Sequence, residues 1–224
     1  MPDYLGERLR HRLGRLWARL TGAKRRARAA LQAEFRAAVA ALGPGDLAID
    51  LGANLGDVSA VLAATGAEVI AFEPDPYAFG RLAERLGKLA NVRLMNAAAG
   101  DRAGVMPLYR HRGFDRAPDR RSLASSLLAD HADVGKAPAA QVEVHDFAAF
   151  VAGLGRDVAL VKIDIEGAEV ALMEALLAHP AAARIGRIFV ETHERALPGL
   201  AARTRALKAR TRGLVRPKVN WDWH

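Results

Sequence analysis

The stretch Ile49-Asp50-Leu51-Gly52-Ala53-Asn54-Leu55-Gly56-Asp57 decides how the chain is read. Asp46–Leu51 is a short apolar run of strand character that leads into a glycine turn. Asn54–Ala64, directly after it, has helical length and composition. A strand that passes through a glycine turn into a helix opens a ligand-binding α/β sheet, because glycine permits the tight turn and lets a ligand lie against the backbone. The dinucleotide fingerprint requires glycines at relative positions one, three and six. Those positions hold Gly52, Asn54 and Asp57, so the fingerprint fails. A Walker loop fails too, since no Gly-Lys-Ser/Thr occurs.

Moving outward, Glu68–Phe72 reads as a second strand, Tyr77–Leu89 as a helix and Val92–Asn96 as a third strand. This βαβαβ series predicts a parallel sheet covered by helices on both faces. Farther along, Gln141–His145, Val158–Asp164 and Arg187–His193 read as strands, and Ala168–Ala178 and the basic Leu197–Arg212 as helices. Val215–His224 is read as containing a last strand. The segment from Arg110 to Ala140, rich in Arg, Asp, Ser and Pro, is irregular, and such loops outside the sheet edge carry selectivity. The fold class is therefore α/β, a doubly wound, mostly parallel Rossmann-like sheet, preceded by a basic helical segment. The boundary falls at the Gly43-Pro44-Gly45 break, giving an N-terminal segment 1–42 and a main domain 43–224.

In the N-terminal segment, Leu5, Leu9, Leu13, Leu16 and Leu20 approach a 3.6-residue period, with Arg8, Arg12, Arg15 and Arg19 between them. Residues 1–40 carry a net +7, residues 41–194 a net −6 and residues 195–224 a net +7. The basic ends admit three readings for residues 1–40: packing on the main domain, a homodimer contact, or a peripheral contact with an anionic membrane. A charge confined to the ends is a weak argument for nucleic acid, and none is expected as a partner. The 224-residue chain has no cysteine, which excludes disulfides, thiolate metal sites and a cysteine nucleophile. No apolar run is long enough to span a bilayer, and no signal peptide is evident. The expected location is cytoplasmic, with peripheral attachment at the inner membrane face as an extension of the membrane reading.

The spacing Asp50-x-Gly52-x-x-x-Gly56 resembles motif I of class I S-adenosylmethionine-dependent methyltransferases. Glu73, in Ala71-Phe72-Glu73-Pro74-Asp75, lies about 20 residues after the glycine turn, where a carboxylate can accept hydrogen bonds from two ribose hydroxyls. The order IDLGANLGD, AFEPDP, NAAAGD (Asn96–Asp101), ASSL (Ala124–Leu127), VKIDIEGAE (Val161–Glu169), ETH (Glu191–His193) and a closing Asn-Trp-Asp-Trp-His resembles the FkbM family of these methyltransferases over roughly residues 46–224. The resemblance implies S-adenosyl-L-methionine as cofactor and O-methylation of a sugar, glycoconjugate or polyketide-like hydroxyl. It implies cofactor contacts at Asp50, Gly52, Asn54, Gly56, Glu73, Pro74, Asn96, Ala97 and Asp164, and an acceptor-side role for Ser125 and Ser126.

Lys162 and Asp164 share a face of their strand, and a buried lysine needs an acidic partner, for which Asp50 and Glu191 are candidates. Asp164, Glu166 and His193 fall where the carboxyl ends of parallel strands line the ligand crevice. Methyl transfer to an alcohol needs a base, and His193, taken near its ordinary pKa of about 6.5, suits that role. Asp164 is then the positioning carboxylate and Glu166 the alternative base. Two carboxylates and an imidazole also suit magnesium or manganese, but no spacing demands a metal and none is assigned. His111, His131, His145 and His179 show no ligand spacing and receive no role. Two alternatives stand beside O-methylation. Nucleic-acid methylation lacks the Asn/Asp-Pro-Pro-aromatic motif and a cysteine; a cofactor-binding protein without turnover is disfavoured by the complete residue set.

Overall fold

The structure, a computed structural model, describes residues 23–122, 125–194, 196–221 and 223. The leucine stripe of residues 5–20 lies outside them. The described chain opens with helix α1 (Ala23–Ala40), followed by strand β1 (Leu47–Leu51), α2 (Asp57–Ala63), β2 (Glu68–Phe72), α3 (Pro76–Leu86) and β3 (Val92–Met95). Next come β4 (Ala98–Gly100), β5 (Gly104–Leu108), the short α4 (Pro118–Arg121), β6 (Ala140–Asp146), α5 (Phe147–Gly153) and β7 (Val158–Ile163). The chain closes with α6 (Glu169–Ala178), β8 (Ile185–Val190), α7 (Ala201–Thr211) and β9 (Lys218–Trp221).

Six strands form the main sheet in the order β3-β2-β1-β7-β8-β9, and every pairing in it is parallel. The order reverses between β1 and β7, and the crevice above that switch point is where such sheets bind ligands. Side chains alternate across the sheet with period two. Ile49, Leu51, Val161, Ile163, Ile188 and Val190 face α5 and α6, where Phe147, Val151, Met173 and Leu176 cover them. Ala48, Leu160 and Phe189 face the other way, against Leu62 of α2 and Phe35, Ala38 and Val39 of α1. The described part of the N-terminal segment is therefore a packed layer of the domain. Phe35 meets Phe189 edge-on at 5.1 Å between ring centroids.

The structure shifts several expected boundaries. The helix expected from Asn54 begins at Asp57, because Asn54 (φ 48) and Gly56 (φ 88) are both left-handed and spend three residues on the turn. The strand expected to reach His193 ends at Val190; the His193 N–H donates to Glu169 Oε1 (3.0 Å) instead of a neighbouring strand. A second sheet, β4-β6-β5, was not expected as a unit: β4 runs parallel to β6 and β5 antiparallel to it. Its strands Ala-Ala-Gly and Gly-Val-Met-Pro-Leu carry little local strand preference, and the pairing with β6 supplies it.

Candidate active site

Register builds the centre of the site. Asp50 of β1 stands opposite Lys162 of β7, and both point to the α1 side of the sheet, where apolar packing excludes water. Asp50 is fully buried; its Oδ2 accepts a hydrogen bond from Ser59 (2.6 Å), and its Oδ1 lies 3.2 Å from Lys162 Nζ. Lys162 also donates to the Gly52 carbonyl (2.8 Å) and lies 3.5 Å from Asp164 Oδ2. Burial opposes the ammonium charge, yet the two carboxylates more than offset it and hold the lysine pKa above its ordinary value. Asp50 is thus the lysine's partner. The lysine in turn ties the glycine turn to the end of β7.

Gly52 is required at that junction. A Cβ there would sit 1.8 Å from the Asp164 carbonyl oxygen, so only glycine lets the two strand ends approach. Beyond the turn, Asn54 N–H donates to Glu73 Oε2 and Asp75 N–H to Glu73 Oε1, each at 2.8 Å. Burial raises the Glu73 pKa to about 7, and the two backbone donors only partly restore its charge. Each Glu73 oxygen accepts one backbone N–H and has room in its lone pairs for a further hydrogen bond, and the residue lines a cleft.

The cleft, about 250 Å³, is lined by Gly52, Asn54, Glu73, Pro74, Asp164 and Glu166 among the expected residues, and also by Ser125. Asp50, Gly56, Asn96, Ala97, Ser126 and His193 do not line it. Gly56 starts α2 close under Leu82, and Asn96 clamps the turn by donating to the Glu73 carbonyl (2.9 Å). Ala97 is buried against the Ile49 face of the sheet. Ser126 is buried and donates to the Glu166 carbonyl (2.6 Å). Ser125 donates to Asp75 Oδ2 (3.1 Å) at the cleft wall.

At the rim, Glu166 adopts φ 51, a left-handed conformation uncommon for a residue with a side chain. Its Oε2 lies 3.3 Å from His193 Nε2 and 3.2 Å from His131 Nε2. His193 Nε2 is 3.7 Å from Asp164 Oδ1, and its Nδ1 meets the buried Glu169 Oε1 at 3.1 Å. The histidine is not in its ordinary range: burial works to lower its pKa, but Glu169 and Glu166 prevail and raise it to about 9. Burial lifts the Glu166 carboxyl to about 8 and lowers the His131 pKa. The neutral imidazole near 6.5 expected for His193 is therefore replaced by one held charged at neutral pH.

Comparison with known proteins agrees with this geometry. The Methyltransferase FkbM domain matches residues 50–208, well over half of the chain. The chain belongs to the FkbM methyltransferase family. Its cofactor is S-adenosylmethionine. No curated protein matches the chain. Among solved structures it is similar to TYW2 of P. horikoshii in complex with MeSAdo, at 34% identity and a TM-score of 0.24, over 27% of this chain and 25% of that one. It is also similar to the precorrin 8W decarboxylase of Methanobacterium thermoautotrophicum, at 17% identity and a TM-score of 0.40, over 75% of this chain and 66% of that one. The chain thus spans about a quarter of the length of the first of these.

Four site residues of this FkbM methyltransferase carry no role in the sequence reading. Arg110 grips Asp75 with two hydrogen bonds (2.8 and 2.6 Å) and stacks 4.2 Å over the Phe114 ring. Burial would raise the Asp75 carboxyl, but Arg110 and the Tyr77 N–H hold it below the ordinary range while it caps α3. Glu169 sits inside the VKIDIEGAE motif, where the spacing from Glu166 is a usable signal. His131 offers none. Trp223 lines the cleft, 5.8 Å from Lys162 Nζ, and packs 5.0 Å from Phe35.

Proposed function

We propose that this FkbM methyltransferase is an O-methyltransferase acting on a hydroxyl of a sugar, glycoconjugate or polyketide-like metabolite. The observation that carries the reading is the cluster of Asp164, Glu166 and His193 at one rim of the cofactor cleft. S-adenosylmethionine supplies a methyl group on a positively charged sulfur, which a hydroxyl oxygen can displace. Glu73 and the Gly52–Asn54 turn would hold its nucleoside part, and Asp164 its charged end. The hydroxyl must lose a proton as its oxygen attacks. His193 Nε2, oriented through Nδ1 by Glu169, is the assigned acceptor once it has given up the proton it holds at neutral pH, so turnover should rise toward pH 9. Asp164 positions it and Glu166 is the alternative base.

The test is incubation with methyl-labelled S-adenosylmethionine and a panel of sugar, glycolipid and macrolide alcohols, with mass spectrometry of the products. Methyl ethers are the expected products. Transfer to nucleic acid or amines alone would overturn the assignment. His193→Ala should lower kcat by about 10²–10⁴ with cofactor affinity kept.

For location, we infer a cytoplasmic enzyme whose residues 1–40 approach an anionic membrane at its inner face, with a homodimer through the same segment as the competing arrangement. Supporting the membrane contact is the net +7 of residues 1–40.

A further inference from the structure

We propose that Asp164, Glu166 and His193 form a site for one divalent cation of the magnesium or manganese class at the acceptor side of the cleft. The three residues come from the ends of adjacent parallel strands, β7 and β8, and offer two carboxylate oxygens and one imidazole nitrogen all within 4.8 Å of one another. His193 Nε2 lies 3.3 Å from Glu166 Oε2 and 3.7 Å from Asp164 Oδ1. In an octahedral shell with bonds of 2.0–2.1 Å, neighbouring ligands are about 3 Å apart, so modest closure brings these atoms onto one face. That leaves the opposite face for water and a substrate hydroxyl.

Each donor has its other side held, and a bound cation would take the place of the proton on His193 Nε2. Asp164 keeps Oδ2 toward Lys162, whereas Oδ1 is buried and accepts no hydrogen bond. His193 turns Nδ1 to Glu169 Oε1, and Glu169 Oε2 accepts from Gly167 N–H (2.7 Å). This carboxylate–histidine arrangement orients imidazoles on metals. Glu166 is fixed in its left-handed turn by the Ser126 hydroxyl on its carbonyl.

A second observation points to the same spot independently. His131 has a side chain only 2% exposed, and its Nδ1 accepts from Asp133 N–H (3.3 Å), which places the proton on Nε2. That Nε2 is 3.2 Å from Glu166 Oε2 but makes no hydrogen bond. Water on a cation between Asp164, Glu166 and His193 is the acceptor it lacks. A chain without cysteine offers no soft ligand, and two carboxylates balance a double positive charge, which favours a hard cation.

The role of the cation rests on the O-methylation reading and changes the part His193 plays in it. With Nε2 on the ion the imidazole is a ligand, the ion would orient the hydroxyl and make it more acidic, and the proton would leave to the unligated oxygen of Glu166 or to solvent. Its existence does not rest on that reading. The test titrates manganese into the chelator-treated full-length protein without acceptor, followed by calorimetry and electron paramagnetic resonance. One ion per chain is expected, weakened by about 10–100-fold in Glu169→Gln, which acts on the site through His193, and lost in Asp164→Asn. Because a variant can fail to fold, the wild type is also followed by NMR: manganese should broaden the His193 and His131 ring signals, and magnesium should compete. No binding at millimolar manganese, or broadening elsewhere, would overturn the site while leaving O-methylation intact. Binding without methyl-ether formation would overturn the function and leave the site. Tight zinc binding with no manganese would overturn the hard-cation class.

Discussion

Glu73 is the residue proposed to hold the ribose of the cofactor. Its pKa of about 7 arises because burial outweighs two backbone donors. In that role Glu73 would accept from the ribose hydroxyls in its ionised form, so binding would favour loss of the proton. Affinity for S-adenosylmethionine should therefore be full above pH 7 and fall below it, by up to about tenfold per pH unit. Glu73→Gln should bind weakly with this dependence removed; calorimetry from pH 5.5 to 8.5 checks both. In the ligand-free protein the sign is opposite. A carboxyl raised from 4.5 to about 7 contributes stability below pH 4.5 that is lost as pH climbs to 7. Lys162 is the other decisive residue. Lys162→Met leaves the buried Asp50 charge without its partner and should cost about 3–5 kcal/mol in urea unfolding.

At the scale of elements, the β1–α2 turn and the end of β7 act as one unit. They are joined by the Lys162 bond to the Gly52 carbonyl and by the close approach that Gly52 allows. Gly52→Ala places a methyl at 1.8 Å from backbone and cannot be relieved by a rotamer change. It should destabilise by more than about 3 kcal/mol and abolish cofactor binding, whereas Gly80→Ala, which meets nothing within 4 Å, should be neutral or better. Thermal unfolding of the pair checks this. The α3 start depends likewise on Asp75, whose cap on Tyr77 is braced by Arg110 from the irregular segment. That contact, with Ser122, Ser125 and Leu127, makes the irregular segment part of the cleft wall.

For the whole molecule, α1 links residues 23–40 to the cleft. Phe35 packs on Phe189 of the sheet and on Trp223, which lines the cleft. Glu34 adds an ion pair to Lys218 (2.8 Å) and a hydrogen bond from Asn220 (2.8 Å) on β9. Phe35→Ala should cost about 3–5 kcal/mol and weaken cofactor binding through Trp223. Removal of residues 1–40 would expose the same core, so the membrane contact is tested by removing residues 1–22. That truncation should keep the melting temperature and turnover of a soluble acceptor, and lose co-sedimentation with anionic vesicles at low salt. Full-length protein that ignores such vesicles favours the dimer or the packed arrangement alone.

Periodic runs are legible in the amino-acid sequence by itself. Glu68–Phe72 is a strand as read, and the βαβαβ order, glycine turn and cofactor class follow from residues close together in the chain. Such features are local: an apolar alternation or a glycine at a sharp turn carries its meaning within a few positions. What only the tertiary structure decided is long-range. Arg110 reaches Asp75 across 35 positions, and Lys162 reaches the Gly52 carbonyl across 110. His131 reaches Glu166 and Trp223 reaches Lys162 with no spacing to announce them. The elevated pKa of His193 belongs here too, since it arises where three carboxylates, gathered from the turn after β7 and from α6, outweigh the lowering effect of burial. Sequence determined which groups were available; packing decided which of them lost water and gained a charged neighbour, and that sets their chemistry.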